Sequence, residues 1–398
     1  MKILRLNIKG FRSLKDVCWE PGDLNVIIGP NASGKSNLLR MLELISISAT
    51  GGLGKYVQRS GGMEPILWDG IAESISYRIK TSPIGVYRSI ERDSLTYEVE
   101  MERIGKSSGY RINFERLANF YGVETGRERE PFKLLERKGL TARIFDENQS
   151  ALMAPEESIQ EEETLLSMLS GPFAANRRIP PFQAQLAGWA VYHDVHVNRD
   201  APIRQAIVTR PEKRVDPDGQ NLIQVLHTLY TGDRDFKKDI DTAMRAAFGD
   251  EYDELVFPPA ADQRIQLRLR WKTLRREQSA ADLSDGTLRY LFLLTVLASP
   301  SAAPVIAIDE PETGLHPSML PIVAEYAADA AERVQVIMTT HSPQFLDAFR
   351  DKLPTTTVTK WENGETILKN LKGEELDYWV KEYSLGSLFK SGELEDMV

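Results

Sequence analysis

A glycine-bearing octet near the N-terminus has the residue types and spacing of a phosphate-binding loop. Residues 29–36 read Gly-Pro-Asn-Ala-Ser-Gly-Lys-Ser, which fits G-x-x-x-x-G-K-[ST] between an apolar strand pattern and a helix pattern. Backbone N–H groups of such a loop surround phosphate oxygens, and the helix N-terminus adds positive potential. Lys35 would reach the β- and γ-phosphates, and Ser36 would ligate Mg²⁺. The expected contacts to ATP are Gly29, Asn31, Ala32, Ser33, Gly34, Lys35, Ser36 and Asn37.

Two adjacent carboxylates follow a second apolar run. Residues 305–308 read Val-Ile-Ala-Ile and predict a buried strand, and α/β sheets hold ligands at the C-terminal ends of their strands. Asp309 would hold Mg²⁺ there, and Glu310 would orient or deprotonate the attacking water. Because adjacent strand residues face opposite ways, the two acids must diverge at the strand end to take separate roles.

A third segment, Leu-Ser-Asp-Gly-Thr at residues 283–287, precedes an apolar helix pattern. In one interpretation Ser284 is an N-cap that satisfies the first free N–H groups of the helix. In the other, the same N–H groups bind a γ-phosphate presented by another molecule. The residues alone leave both interpretations open.

With these segments the chain resembles ABC-type ATPases of the RecF/SMC and OLD-like branch. Residues 283–287 look like a variant of the LSGGQ-like signature loop of that family, with Asp285 in place of the first glycine and Thr287 in place of the glutamine. Residues 311–317, Pro-Glu-Thr-Gly-Leu-His-Pro, are similar to its subunit-contacting loop. Residues 339–343, Thr-Thr-His-Ser-Pro, are similar to its switch-histidine segment.

The resemblance implies roles for further residues. His341 would hydrogen-bond the γ-phosphate or the attacking water, and Arg12, in the family-like opening at residues 8–14, would lie near the nucleotide. Ser284 and Gly286 would meet ATP bound to a second subunit, so that two sites close in a head-to-tail homodimer, with higher oligomers left open. The glutamine that contacts Mg²⁺ in the family corresponds to Gln58 or Gln205, and the sequence does not choose between them.

The element patterns surrounding these motifs predict an α/β fold. The expected architecture is a P-loop ABC-type ATPase head with a mixed or parallel sheet, an antiparallel β subdomain and an inserted helical lobe. Alternation from about residue 73 to 115 predicts antiparallel strands, whereas residues 116–185 are irregular, with an acidic helical stretch at 156–169. We therefore predict an N-terminal ATPase lobe at 1–115, an inserted, largely helical lobe with strands returning to the head at 116–280, and a C-terminal ATPase lobe at 281–398.

Composition narrows the class of protein. The chain has 398 residues, 42% hydrophobic and 27% charged, with a net charge of −9. These values exclude wholesale disorder, collagen and a disulfide scaffold, and a lone Cys18 suits a reducing compartment. The first residues lack the apolar region of a signal peptide, and the apolar run at 291–298 is far shorter than the roughly 20 residues that span a membrane. We expect a cytoplasmic protein without membrane contact.

The sequence also bears on possible partners. The segment after His341 is too short for the TOPRIM nuclease that OLD-like relatives often carry, so a nuclease would come from a separate chain. Two basic groups could neutralise DNA phosphates, or could be ordinary solvent faces with acidic neighbours. They are Arg268, Arg270, Lys272, Arg275 and Arg276, and Arg127, Arg129, Lys133, Arg137 and Lys138.

Two outputs therefore remain for a slowly hydrolysing, ATP-driven dimerisation switch. The first is DNA repair or genome maintenance, with the basic strand near nucleic acid. The alternative is a scaffold or sensor of an anti-phage defence or toxin–antitoxin-like module that regulates a separately encoded nuclease or toxin.

Overall fold

The fold was analysed in a computed structural model of the chain. It describes residues 1–84, 93–105, 109–155, 158–169, 176–193, 195–261, 263–349, 352–371 and 384–396. The strands, in chain order, are β1 (Ile3–Phe11), β2 (Leu14–Trp19), β3 (Leu24–Ile28), β4 (Ser74–Thr81), β5 (Thr96–Arg103), β6 (Tyr110–Asn119), β7 (Phe132–Lys138), β8 (Thr141–Asp146), β9 (Ala151–Met153), β10 (Ala190–Tyr192), β11 (Ile207–Val208), β12 (Tyr252–Val256), β13 (Pro259–Ala260), β14 (Arg264–Ile265), β15 (Arg268–Trp271), β16 (Gln278–Ser279), β17 (Val305–Ile308), β18 (Gln335–Thr339), β19 (Thr355–Glu362) and β20 (Glu365–Asn370).

The helices connect and cover these strands. In chain order they are α1 (Lys35–Ser48), α2 (Leu53–Arg59), α3 (Tyr121–Glu124), α4 (Leu165–Met168), α5 (Ile179–Ala187), α6 (Leu222–Gly232), α7 (Arg234–Phe248), α8 (Asp285–Ala298), α9 (Leu320–Ala331), α10 (Pro343–Leu346), α11 (Leu385–Ser391) and α12 (Glu393–Asp396). Short 3-10 helices lie at Glu64–Ile66, Trp68–Gly70, Pro202–Arg204, Ala280–Asp282 and Pro317–Met319. Within the described residues, no helix is both long and apolar enough to cross a bilayer.

A largely parallel sheet forms the centre of the molecule, in the order β10-β17-β18-β3-β19-β20. The strands from β10 to β19 run parallel, and β20 closes the edge as an antiparallel hairpin with β19. Every residue of β3, β17 and β18 is buried because both faces of the sheet are covered, and apolar residues predominate in these strands. This arrangement brings the C-terminal ends of β3, β10, β17 and β18 to one edge.

Two hydrophobic cores cover the two faces of the central sheet. Ile306 and Ile308 of β17 face a core formed with α6, α7, α8 and α9, whereas Val305 and Ala307 face a core formed with α1 and the antiparallel sheet. That sheet has the order β2-β1-β4-β5-β6-β7-β8-β9. It has alternating buried and exposed positions, as in β4, because one of its faces is solvated.

The middle of the chain differs from its prediction. Residue 115, the predicted end of the first lobe, lies inside β6, and the antiparallel sheet continues to Met153. Of the predicted acidic helix at 156–169, only Leu165–Met168 is helical, and residues 156 and 157 lie outside the described part. The solvated face of these strands carries charged side chains. Because Lys and Glu are also common on the exposed face of a helix, the alternation typical of strands was not recognised in the sequence.

Candidate functional site

The loop between β3 and α1 is shaped to surround an anion. Gly34 is the N-cap of α1 with φ 103°, and Gly29 and Ala32 also have positive φ, at 144° and 64°. This succession turns backbone N–H groups toward one side. The first turn of α1 contains no acidic residue. The Lys35 ammonium donates to the carbonyls of Gly29 at 2.8 Å and Pro30 at 2.9 Å, so it lies folded along the loop.

The C-terminal hairpin β19–β20 supports this loop from behind. The hydroxyls of Thr359 and Ser33 are hydrogen-bonded, and the Thr366 hydroxyl donates to the Ser33 carbonyl at 2.9 Å. A Cβ added to Gly34 would lie 2.1 Å from the Thr366 hydroxyl, which explains why this position is a glycine. The loop is therefore held in its curved form by a hairpin more than 300 residues away in sequence.

The turn that contains Arg12 lies beside the start of α1. The Asn37 amide donates to the Ser13 hydroxyl at 2.8 Å, which places the β1–β2 turn against this helix. Arg12 has φ 48°, and its buried Nε has no hydrogen-bond partner in the described residues. An unsatisfied donor and a strained backbone at one residue are features of binding sites, and the place of Arg12 near a nucleotide stays a prediction.

Asp309 and Glu310 diverge at the end of β17, and the structure shows how. Glu310 adopts φ 47°, so its side chain leaves the alternation of the strand. The buried Thr339 hydroxyl accepts the Glu310 N–H at 3.0 Å and donates to the Asp309 carboxylate. One hydroxyl at the end of β18 thus fixes the relative directions of both acids.

The electrostatics of Asp309 suit a cation. Burial alone would raise the pKa of Asp309, but the nearby His193 imidazole and hydrogen bonds from Thr339 and Ser36 outweigh it and lower the pKa below its ordinary value. The carboxylate therefore stays ionised, next to the Ser36 hydroxyl at the start of α1. A carboxylate and a hydroxyl oxygen beside a phosphate-binding loop fit the oxygen ligands that Mg²⁺ prefers.

His341 lies beside Glu310. Its Nδ1 is 3.1 Å from the Glu310 carboxylate, and the imidazole is about half exposed. The neighbouring Glu312 carboxylate accepts hydrogen bonds from the Thr340 hydroxyl and the His341 backbone N–H. Burial raises the pKa of Glu312 above its ordinary value, although its bond from Thr340 opposes the shift. Glu312 thus connects the loop after β17 to the loop after β18.

A histidine that directly follows β10 contacts Asp309, and the sequence analysis did not predict it. Of the two glutamines considered for the Mg²⁺ contact, Gln58 lies on α2, at a cavity shared with Tyr110. The amide of the other, Gln205, donates to the Asp200 carbonyl. It is His193, directly after β10, whose Nδ1 lies 3.7 Å from Asp309. Because β10 pairs with β17 in parallel, the two strands end side by side, and this pairing was the missing signal.

His193 is held between two carboxylates. Its Nε2 lies 3.3 Å from Glu43 of α1, opposite the contact with Asp309. Burial disfavours the charged imidazole, but the two carboxylates outweigh it and raise the pKa of His193. His193 directly follows the end of β10 at Tyr192.

The segment at 283–287 caps α8 in this structure. The Ser284 hydroxyl accepts the Thr287 N–H at 3.1 Å, and Ser284 is exposed. A Cβ on Gly286 would lie 2.5 Å from the Gly314 carbonyl, so this glycine allows the loop to pack against the loop after β17. The N-cap interpretation is therefore observed within one chain, and binding to a second subunit stays a prediction.

Some of the basic residues considered for DNA are ion-paired. Arg270 bonds Glu254 at 2.6 Å and Glu277 at 2.8 Å, and Arg268 lies 3.9 Å from Glu277. Arg137 is 1% exposed and donates to backbone carbonyls, so our placement of it in a DNA-facing cluster is wrong. On β7, Glu136 is partly exposed and Lys138 is exposed, whereas Arg137 between them is buried.

Solved structures show a related fold. "Crystal structure of the SmcHead bound to the C-winged helix domain of ScpA" is 13% identical and aligns with a TM-score of 0.57 over 95% of this chain and 100% of that chain. The Smc head domain with an extended coiled coil, bound to the C-terminal domain of ScpA from Pyrococcus furiosus, gives 12% identity and 0.54 over 96% and 99%. These likenesses confirm the predicted fold class, an α/β fold like that of Smc head domains. No curated protein sequence matches the chain.

A family model covers most of the sequence. The match runs over residues 24–347 and includes the phosphate-binding loop, the carboxylates after β17 and His341. The chain therefore belongs to the family described as "AAA domain, putative AbiEii toxin, Type IV TA system".

Proposed function

We propose that this chain binds and slowly hydrolyses ATP, and that ATP drives its dimerisation. The observation that carries the proposal is the meeting of four strand ends at one edge, where Lys35 and Ser36 lie with Asp309, Glu310 and His341. A lone phosphate-binding loop would support binding only. The additional carboxylate–imidazole pair supplies a proton acceptor for water.

The residues divide the reaction between them. The N–H groups of residues 31–37 and the Lys35 ammonium would bind the triphosphate, with Lys35 leaving its carbonyl partners to reach the β- and γ-phosphates. Ser36 and Asp309 would hold Mg²⁺, which neutralises charge on the β- and γ-oxygens when bound. Glu310 would accept a proton as the water oxygen bonds to the γ-phosphorus and the bond to the ADP oxygen breaks. His341 would orient that water or the γ-phosphate.

A second subunit would complete the site. Ser284 and Gly286 at the start of α8 would contact the triphosphate held by the partner, as the resemblance to the RecF/SMC and OLD-like branch implies. A triphosphate that contacts both subunits stabilises only the closed dimer, so its hydrolysis reopens it. Assembly is therefore the output of the ATPase cycle.

Of the two outputs, the observations favour regulation of a partner protein. The ion pairs of Arg270 and the burial of Arg137 leave less free positive charge for DNA than the sequence indicated. The family description names a toxin and a toxin–antitoxin system. We therefore infer that the ATP-dependent dimer binds or releases a separately encoded toxin or nuclease, in the cytoplasm.

The mass of Glu310→Gln in solution, with and without Mg-ATP, tests the switch. We expect a monomer that becomes a dimer with ATP, because the variant binds ATP without hydrolysing it. Lys35→Ala in the same background is the control and should stay monomeric. Adding duplex DNA separates the outputs: DNA binding that charge reversal at Arg268 and Arg270 abolishes would favour genome maintenance, and a mass that ignores ATP would refute the switch.

A further inference from the structure

A buried arginine holds the segment that precedes α8. Arg204 ends the 3-10 helix Pro202–Arg204, and its side chain is 5% exposed. Its guanidinium donates to the carbonyls of Leu283 at 2.6 Å, Ala280 at 3.1 Å and Val197 at 2.7 Å. It also bonds the Asp285 carboxylate. A buried guanidinium that donates in several directions restrains the segments it binds, because moving any partner leaves a charged donor unpaired.

The contacts of Arg204 bracket Ser284. Leu283 precedes Ser284 and Asp285 follows it, and one planar guanidinium binds the first through its carbonyl and the second through its carboxylate. The direction of the Ser284 hydroxyl and of the first N–H groups of α8 is therefore set by Arg204. This role has no signal in the sequence, because Arg204 lies 79 residues from Leu283.

The Asp285 carboxylate needs the Arg204 guanidinium beside it if a triphosphate is to bind at the start of α8. It stands where the family signature has a glycine, and its side chain is 66% exposed at the first turn of α8. A carboxylate there favours the helix but repels a triphosphate that approaches the same N-terminus. The Arg204 guanidinium neutralises that carboxylate and holds it by a hydrogen bond.

We propose that Arg204 is a positioning residue that makes residues 283–287 competent to accept the triphosphate of a second subunit, by neutralising Asp285 and fixing the backbone on both sides of Ser284. This role rests on the proposed ATP-dependent dimer. It predicts that Arg204 affects assembly and leaves ATP binding by a single subunit unchanged.

The test uses the full chain in the Glu310→Gln background. Arg204→Gln should raise the ATP concentration for half-maximal dimerisation by about tenfold, while the affinity of the diluted monomer for a fluorescent ATP analogue changes by less than about twofold. Asp285→Gly added to Arg204→Gln should recover much of the loss, because the uncompensated carboxylate is gone. A merely structural role would give no such recovery.

Controls separate assembly from folding. Arg333 donates to the carbonyls of Ser299 at 3.0 Å and Leu297 at 3.1 Å, at the opposite end of α8, so Arg333→Gln should leave dimerisation unchanged. Thermal unfolding without ATP reports whether each variant folds. If Arg204→Gln does not fold, Arg204→Lys takes its place, because it keeps the cation and loses only the planar fork, and it should weaken dimerisation by roughly threefold.

The outcomes distinguish the two proposals. A parent protein that ignores ATP refutes the dimer, and the role of Arg204 with it. A parent that dimerises while a folded Arg204→Gln or Arg204→Lys variant assembles equally well refutes the role of Arg204 alone. Failure of Asp285→Gly to improve assembly of Arg204→Gln refutes the charge compensation.

Discussion

Replacing Thr339 with valine should impair hydrolysis without impairing ATP binding. Thr339 is fully buried, and valine has nearly the same shape. Its hydroxyl donates to Asp309 and accepts the Glu310 N–H at 3.0 Å. Thr339→Val therefore removes both bonds and leaves the position filled.

The expected size of the fall in kcat follows from the backbone conformation of Glu310. A non-glycine residue in the left-handed region, here at φ 47°, costs about 1–2 kcal/mol. Removing one partner of a buried hydrogen bond costs about 1–3 kcal/mol. Because these energies are similar, losing the Thr339 hydroxyl allows Glu310 to relax toward an extended backbone and turns its carboxylate from the water. A loss of about 1.4 kcal/mol of transition-state stabilisation lowers kcat roughly tenfold.

Steady-state phosphate release at varied Mg-ATP measures this effect. We expect kcat to fall roughly tenfold and KM to change by less than about twofold, since the loop N–H groups and Lys35 are untouched and Asp309 keeps its bond from Ser36. Thr295→Val is the matched control, because Thr295 is equally buried and its hydroxyl donates only to the Leu291 carbonyl, at 2.6 Å inside α8. An unchanged kcat for Thr339→Val, or an equal fall in the control, would refute the reasoning.

Further predictions concern binding, packing and pH. Lys35→Ala should weaken ATP affinity by at least about tenfold in a calorimetric titration, with little change in melting temperature. Gly286→Ala should lower the melting temperature and weaken ATP-dependent dimerisation, because its Cβ would meet the Gly314 carbonyl at 2.5 Å. Burial raises the pKa of Glu115, so the folded chain holds this proton more tightly than the unfolded chain. The contribution of Glu115 to the free energy of unfolding should therefore fall as pH rises above 4.5, and urea titrations of Glu115→Gln at several pH values should lack that slope.

The sequence predicted local elements well where function and burial impose simple patterns. The apolar run at 305–308 can hardly be anything but a buried strand, and residues 29–36 have few alternatives to a phosphate-binding loop. The requirement that Asp309 and Glu310 diverge could also be stated in advance. The contact that makes them diverge could not be predicted, because Thr339 reaches Glu310 only through the pairing of β17 with β18.

Tertiary pairing also explains what was missed. His193 contacts Asp309 because β10 and β17 end together, and a three-residue strand leaves almost no periodic signal. Arg137 appeared to belong to a basic surface, yet it donates to the carbonyls of Gly139 and Glu163 inside the protein. A buried cation can be recognised only from the groups that accept its hydrogen bonds. When these are backbone carbonyls, which every residue has, the residue types do not reveal them.

In the proposed dimer, the two interpretations of Ser284 would be successive states of one loop. In the single chain its hydroxyl caps α8 by accepting the Thr287 N–H. Such a cap is worth about 1 kcal/mol, which is less than a triphosphate gains from several charge-assisted hydrogen bonds of about 1.5–3 kcal/mol each. The cap therefore keeps the start of α8 ordered before a partner arrives and is weak enough to exchange its bond when one does. A loop that had to fold at that moment would add its ordering entropy to the cost of assembly.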